Sequence, residues 1–313
     1  MKGLWARLKW VATGREARPV VAFEWIRGRV GSRENPDGMR SLIHAGIALA
    51  ILCAGLDLVL LSRQEWSYWM LLAFSHLAWI SSVGLLTVLN VGFLETVDGR
   101  QMVGLGGPNL LTLARGFLLP SLLYMLATGD YVWAAVAYAL IQFTDVVDGW
   151  WARRTDQQTK LGIVLDPMMD LLLHLGVLTT LALTGLLSTF ALVLIIVRSS
   201  LLVFGTLLFY FWKGQVWIHP TPLGKGTGFL LTVATTCLVG LSALEPAAVV
   251  PELAQTADWA LTLGEVLRTS ITVLLCLAIA HVLTIGIVNL KMPAVRYESQ
   301  RKREWRRRHL GHR

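Results

Sequence analysis

Apolar residues run in blocks along nearly the whole chain, separated by short polar or basic breaks. The blocks cover roughly 41–62, 69–94, 110–128, 131–151, 161–185, 188–212, 224–244 and 268–290. Each reaches the length, about 20 residues, that a helix needs to cross the hydrocarbon core of a bilayer. One such block could be a buried core helix; eight in one chain predict an all-α, polytopic transmembrane helical bundle. The break at 95–109 holds Gly104, Gly106, Gly107 and Pro108. It lacks the GxxxxGK[ST] spacing of a phosphate loop and predicts a turn followed by a helix start. It also divides the spans into two leading ones and a block of six. The expected organisation is a basic amphipathic interfacial segment over 1–40, two accessory transmembrane helices and a loop over 41–108, a six-helix core over 109–291, and a basic cytoplasmic tail over 292–313.

Composition agrees with a membrane solvent. The chain is 55% hydrophobic and 15% charged, whereas soluble domains carry about a quarter charged residues. The net charge of +8 gathers in the first 40 positions and after Lys291. Beside membrane spans, basic clusters mark the cytoplasmic side and anionic headgroups rather than nucleic acid, for which no binding module is present. With the N-terminal segment inside, Arg153, Arg154, Lys160, Lys213 and Lys225 all fall at the cytoplasmic edge, and the stretch from Glu245 to Arg268 falls outside. Trp5, Trp10 and Trp25 fit a segment lying on the membrane surface. No apolar run followed by a small-residue cleavage site opens the chain, so no signal peptide is expected. Trp66, Trp69, Trp133, Trp150, Trp151, Trp212 and Trp217 lie near span ends, where interface anchoring explains them. Cys53, Cys237 and Cys276 fall far apart inside apolar blocks and read as packing residues.

Acids inside apolar spans are costly and point to function. Asp145 and Asp148 close the fourth span; Asp166 and Asp170 open the fifth. Steps of three and four place 145, 148, 149 and 152 on one helical stripe and 162, 166 and 170 on another. The short connection predicts neighbouring antiparallel spans with the two stripes facing each other. Four carboxylates so placed would repel, with too few bases on the same stripes to neutralise them. Hard divalent cations relieve that repulsion and favour oxygen ligands together with phosphate oxygens. Gly149, Ala152 and Gly162 leave room for a flat group near the backbone, and Arg153 offers a guanidinium to phosphate. Pro167 removes the hydrogen bond to the Ile163 carbonyl, a loss tolerable near a span start.

The run DVVDGWWAR, followed after eight residues by GIVLDPMMD, resembles the signature of the CDP-alcohol phosphatidyltransferase family at all its fixed positions: Asp145, Asp148, Gly149, Ala152, Arg153, Gly162, Asp166 and Asp170. Asn109, Thr112 and Arg115 resemble the pattern that opens the family's first core helix, and the resemblance covers about 109–290. It implies two divalent ions, Mg²⁺ or Mn²⁺, on Asp145, Asp148 and Asp166, with Asp170 as a further ligand and the base that deprotonates the acceptor. Thr112, Gly149, Ala152, Arg153 and Gly162 would surround the cytidine and diphosphate. The implied reaction is attack of an acceptor hydroxyl on the lipid-side phosphorus of a CDP-activated donor such as CDP-diacylglycerol, with CMP leaving. The Leu-Asp-Pro-x-x-Asp wording is most similar to the phosphatidylglycerolphosphate and cardiolipin synthase branch. Leu171, Ser199 and the Gly224–Lys225–Gly226–Thr227 segment depart from that branch. Arg198 and Lys225 are the candidate acceptor contacts, for an acceptor such as glycerol 3-phosphate. The resemblance also implies a homodimer in the inner membrane of a bacterium, with the site facing the cytoplasm.

Three other readings stay open at this stage. An aminoalcohol transferase would use CDP-choline or CDP-ethanolamine. A cation transporter would spread acids through the bilayer depth, and a silent scaffold would need none of them. For individual residues, Asp57 is expected to pair within the bundle, His174 to pack, and Asp156 to be solvated.

Overall fold

A computed structural model describes residues 36–61, 66–89, 94–96, 102–213, 221–243 and 254–291. Of the amphipathic segment expected over 1–40, residues 1–35 lie outside the described residues and 36–40 belong to the first helix; the basic tail over 292–313 and Trp217 also lie outside them. The described chain is helical: α1 (Pro36–Leu61), α2 (Trp66–Leu89), α3 (Gly107–Thr128), α4 (Tyr131–Arg154), α5 (Lys160–Leu183), α6 (Thr189–Lys213), α7 (Pro222–Ser242) and α8 (Ala254–Lys291). Its β pairing is confined to one isolated bridge between Thr96 and Thr159. Six helices, α1, α3 and α5–α8, are long and apolar enough to cross a membrane. The C-terminal half of α4 is polar and the described apolar stretch of α2 is short, so these two rely on their neighbours. Large apolar side chains such as Ile51, Phe74, Phe143, Phe204 and Phe229 face outward, a surface suited to lipid rather than water.

The chain folds as two compact units. Of the described residues, 36–192 and 232–271 form one, and the described parts of 193–231 and 272–291 form the other. The first unit is built around α3, which packs against α1, α2, α4 and α5. Its core joins Leu42, Leu49 and Cys53 of α1, Val83 of α2, Leu113 and Phe117 of α3, and Leu161, Leu165 and Met169 of α5. Spacing in steps of four explains the α5 contribution, since 161, 165, 169 and 173 share one face. A Cβ on Gly116 would come 2.8 Å from Met169 Sδ, so the glycine lets the Met169 side chain of α5 pack directly on α3. In the second unit, the Thr221 hydroxyl accepts the Gly224 N–H at 3.0 Å and lies 2.9 Å from His281 Nε2, which caps the start of α7 against α8.

Two expectations change. The last helix starts at Ala254, well before 268. Glu265 and Arg268 pair at 2.9 Å and Arg268 Nε donates to Leu186 O at 3.0 Å, so charges that interrupt the apolar run are compensated inside the helix. Of the cysteines, Cys53 is buried while Cys237 and Cys276 are exposed, so the latter two do not pack within the chain.

Candidate active site at the junction of three helices

The buried stripe of α4 runs Ala134, Tyr138, Ile141 and Asp148; Asp145 lies on the same stripe, so both acids point at α3. The stripe on α5 does the same for Asp166 and Asp170. The acid-bearing helices therefore meet across α3, not face to face as the short connection predicts. From α3, Arg115 reaches into the gap. Its Nη1 donates to Asp145 Oδ1 in a very short contact and to Asp170 Oδ1 at 3.4 Å, while Nη2 donates to Asp148 Oδ2 at 3.0 Å. One turn earlier, Thr112 Oγ1 lies 3.2 Å from Asp148 Oδ2 and 2.9 Å from Asp166 Oδ1. One guanidinium and one hydroxyl thus touch all four aspartates.

The expected shortage of bases is corrected in part. The neutralising cation comes from a third helix, and the Asn109–Thr112–Arg115 steps of three were the sequence signal for it. Four carboxylates against one guanidinium still leave three negative charges if all are ionised. The donors are all hard oxygens, which fits a divalent cation that binds together with phosphate. Among the described residues no three acids stand at the spacing of a closed metal site; the guanidinium lies between them. Access is graded across the cluster. The Asp148 side chain is 5% exposed, against 38% for Asp145 and 46% for Asp170, so Asp170 is open to a reactant and Asp148 is not.

Around this centre, Arg153 is exposed and its guanidinium lies along the open side of Gly149, where a Cβ would sit 3.3 Å from Nη1. Ala152 is half-buried beside it. The space beside Gly162 is filled instead by Asn109: a Cβ there would come 2.8 Å from Asn109 Oδ1. Asn109 Oδ1 accepts from Thr159 Oγ1 at 3.0 Å, and Thr159 accepts the Gly162 N–H at 2.9 Å as the cap of α5. Gly162 thus locks α3 to the start of α5. Gly162→Ala is expected to cost about 1–3 kcal/mol through overpacking, read as a lower Tm of the purified protein; an unchanged Tm would refute the lock.

His174 Nδ1 donates to the backbone Asp170 O at 2.8 Å, and Nε2 lies 3.1 Å from Thr232 Oγ1. Asp156 is exposed in the turn after α4. Arg198 and Lys225 belong to the second unit. Arg198 is half-buried with its Nε unpartnered among the described residues, and Lys225 is exposed.

Residues 106–269 match the sequence profile described as CDP-alcohol phosphatidyltransferase, and this stretch includes every residue of the acidic cluster. The chain belongs to the CDP-alcohol phosphatidyltransferase family. It is similar to the CDP-diacylglycerol–glycerol-3-phosphate 3-phosphatidyltransferase of Aquifex aeolicus, 38% identical over 63 residues that make up 20% of this chain and 35% of that one. Similarity to the enzyme of the same description from Pseudomonas fluorescens is 39% over 69 residues, 21% of this chain and 35% of the relative. The CMP-forming cardiolipin synthase of Rattus norvegicus is 41% identical over 64 residues, 20% of this chain and 21% of that one. The matches span about a third of the length of the first two relatives and about a fifth of the third. No solved structure matches the chain. In this CDP-alcohol phosphatidyltransferase family member, α1 and α2 precede the matched region.

Proposed function

We propose that this protein transfers a phosphatidyl group from CDP-diacylglycerol to the hydroxyl of a polyol phosphate such as glycerol 3-phosphate, releasing CMP. The observation that carries the reading is the convergence of Asp145, Asp148, Asp166 and Asp170 on Arg115 and Thr112, inside the region that matches the family. The names of two relatives include the proposed donor and acceptor, and a third is described as CMP-forming.

In this reading two divalent ions, Mg²⁺ or Mn²⁺, would be held by the four aspartates and would supply charge neutralisation and Lewis acidity toward the donor diphosphate. Asp170, more open than Asp145 and Asp148, takes the proton from the acceptor hydroxyl. The acceptor oxygen then bonds to the lipid-side phosphorus as the bond from that phosphorus to the bridging oxygen breaks, and the electron pair leaves with CMP. Asp148, buried between Arg115 and Thr112, keeps α3 and α4 in register. Arg153, lying along Gly149 beside Ala152, donates to the nucleotide phosphate, and Thr112 lines the same space. Basic residues around the acidic site, Arg153, Arg154 and Lys160, support a site that opens to the cytoplasm at a bacterial inner membrane.

The test is the purified protein in lipid nanodiscs with CDP-diacylglycerol, Mg²⁺ or Mn²⁺, and a panel of acceptors, with CMP release and product mass measured. Glycerol 3-phosphate is expected to give CMP and phosphatidylglycerol phosphate, a lipid whose mass is that of the donor plus glycerol 3-phosphate less CMP. CMP release only with phosphatidylglycerol would move the acceptor to a lipid hydroxyl. No CMP with any acceptor would refute the proposal.

A further inference from the structure

Pro120 lies inside α3. A proline there has no N–H for the carbonyl four residues back, and its ring crowds that carbonyl. Here the carbonyl is that of Gly116, the residue after Arg115. It is taken up from outside the helix: Trp79 of α2 donates its indole N–H to Gly116 O at 2.6 Å. The next carbonyl, Phe117 O, receives His76 Nε2 of α2 at 3.1 Å and Cys53 Sγ of α1 at 3.4 Å. A carbonyl only accepts, so Nε2 carries a hydrogen. Behind it, His76 Nδ1 is 2.6 Å from Asp57 Oδ2 of α1, and Ser121 of α3 donates to Asp57 Oδ1 at 3.1 Å. Asp57, His76 and Ser121 are all buried, and Asp57 pairs within the bundle as expected.

Asp, His and Ser in contact could suggest a hydrolytic triad, but the bonds run otherwise. Ser121 gives its hydrogen to Asp57 and stands 3.5 Å from His76 Nε2, which already serves Phe117 O. The group is a joint between helices. It lies about 9 Å along α3 from Arg115, nearly two turns at 1.5 Å per residue. A second attachment comes from the segment after α2: Lys160 N donates to Glu95 O at 2.9 Å, Thr96 bridges Thr159, and the Lys160 and Glu95 side chains pair closely. The leading segment thus holds α3 beside Arg115 and holds the start of α5 ahead of Asp166.

We infer that the α1–α2 hairpin is a positioning element for the acidic site, because Trp79 takes up the Gly116 carbonyl that Pro120 leaves free, His76 adds a bond to the next carbonyl, and together they fix the turn of α3 that bears Thr112 and Arg115. The inference rests on the reading of that site as catalytic. A hairpin serving only as a lipid anchor has no need of a buried Asp and His, which are expensive in a bilayer.

A double-mutant cycle in the full-length protein tests it. Trp79→Phe keeps the ring and removes the donor; Pro120→Ala restores an N–H for Gly116 O. With each variant assayed well below its own Tm, Trp79→Phe should lower kcat about tenfold while the donor KM moves by less than about twofold, the loss that one unsatisfied buried carbonyl implies. Trp79→Phe combined with Pro120→Ala should return kcat to the level of Pro120→Ala alone. In parallel, amide hydrogen exchange over 109–118 should rise in Trp79→Phe and fall back in the double variant. A wild-type kcat in Trp79→Phe, or an equal defect with and without Pro120, overturns the inference. If the unmutated protein releases no CMP, the proposed activity fails on its own. The exchange measurement then decides the positioning role, and unchanged exchange in Trp79→Phe overturns it.

Discussion

Arg115→Gln should lower the Tm of the full-length protein by about 10 °C in the presence of a chelator, and added Mg²⁺ or Mn²⁺ should restore more of the loss than it adds to the unmutated protein. Arg115 is 3% exposed and contacts Asp145, Asp148 and Asp170 through two nitrogens. Removing the partner of the buried Asp148 costs about 3–5 kcal/mol, because that carboxylate is left uncompensated, while the more exposed Asp145 and Asp170 are partly screened by water. For a chain of this size each kcal/mol moves Tm by about 2–4 °C. A cation that binds the folded state offsets the loss through linkage. It gains more where no guanidinium competes for the same carboxylates. CMP release should fall at the same time, since the substrate side of the cluster loses its order. Thermal unfolding with and without chelator settles the point. Equal Tm values for both proteins in chelator would mean that Arg115 is not the central counter-charge. A variant that chelator destabilises but that no divalent ion rescues would mean that the acids do not hold metal.

This dependence on Arg115 explains which parts of the molecule could be read from the chain. Helix positions were legible because apolar blocks of membrane length have no other stable fold, and α3, α4, α5 and α6 begin and end close to the expected places. The two acid stripes were legible because helical periodicity alone puts 145 beside 148 and 166 beside 170. What periodicity cannot supply is the identity of the facing helix. Spacing made α4 and α5 direct partners, whereas α3 lies between their acids, and Gly116 and Gly162 make room for it. The start of α8 escaped for a related reason. Hydropathy scores Glu265 and Arg268 as a break, although the two charges cancel within one turn. Least legible was the hairpin. A proline inside a helix announces that some donor must serve the released carbonyl, but only packing shows that Trp79 is that donor.

The largest effects on turnover are expected at Asp166 and Asp170, and they should differ in kind. Asp170→Asn keeps size and polarity but removes a base, so kcat should fall by about 10²–10⁴ with the donor KM changed only a few fold. Asp170 is open, its contact with Arg115 is long at 3.4 Å, and its loss leaves the Thr112 and Asp148 bonds in place. Asp166→Asn disturbs a different function. Asp166 holds Thr112 at 2.9 Å and carries part of the charge that would anchor the donor diphosphate. Its loss should therefore reduce kcat/KM by at least the same factor while also raising the donor KM and the metal concentration needed for half-maximal rate. Steady-state CMP release, with donor and metal each varied, separates the two. If Asp170→Asn shifts only KM, the base lies elsewhere. If Asp166→Asn leaves the metal requirement unchanged, Asp166 holds helices and not cations, and the division of labour within the cluster must be redrawn around Asp145 and Asp148.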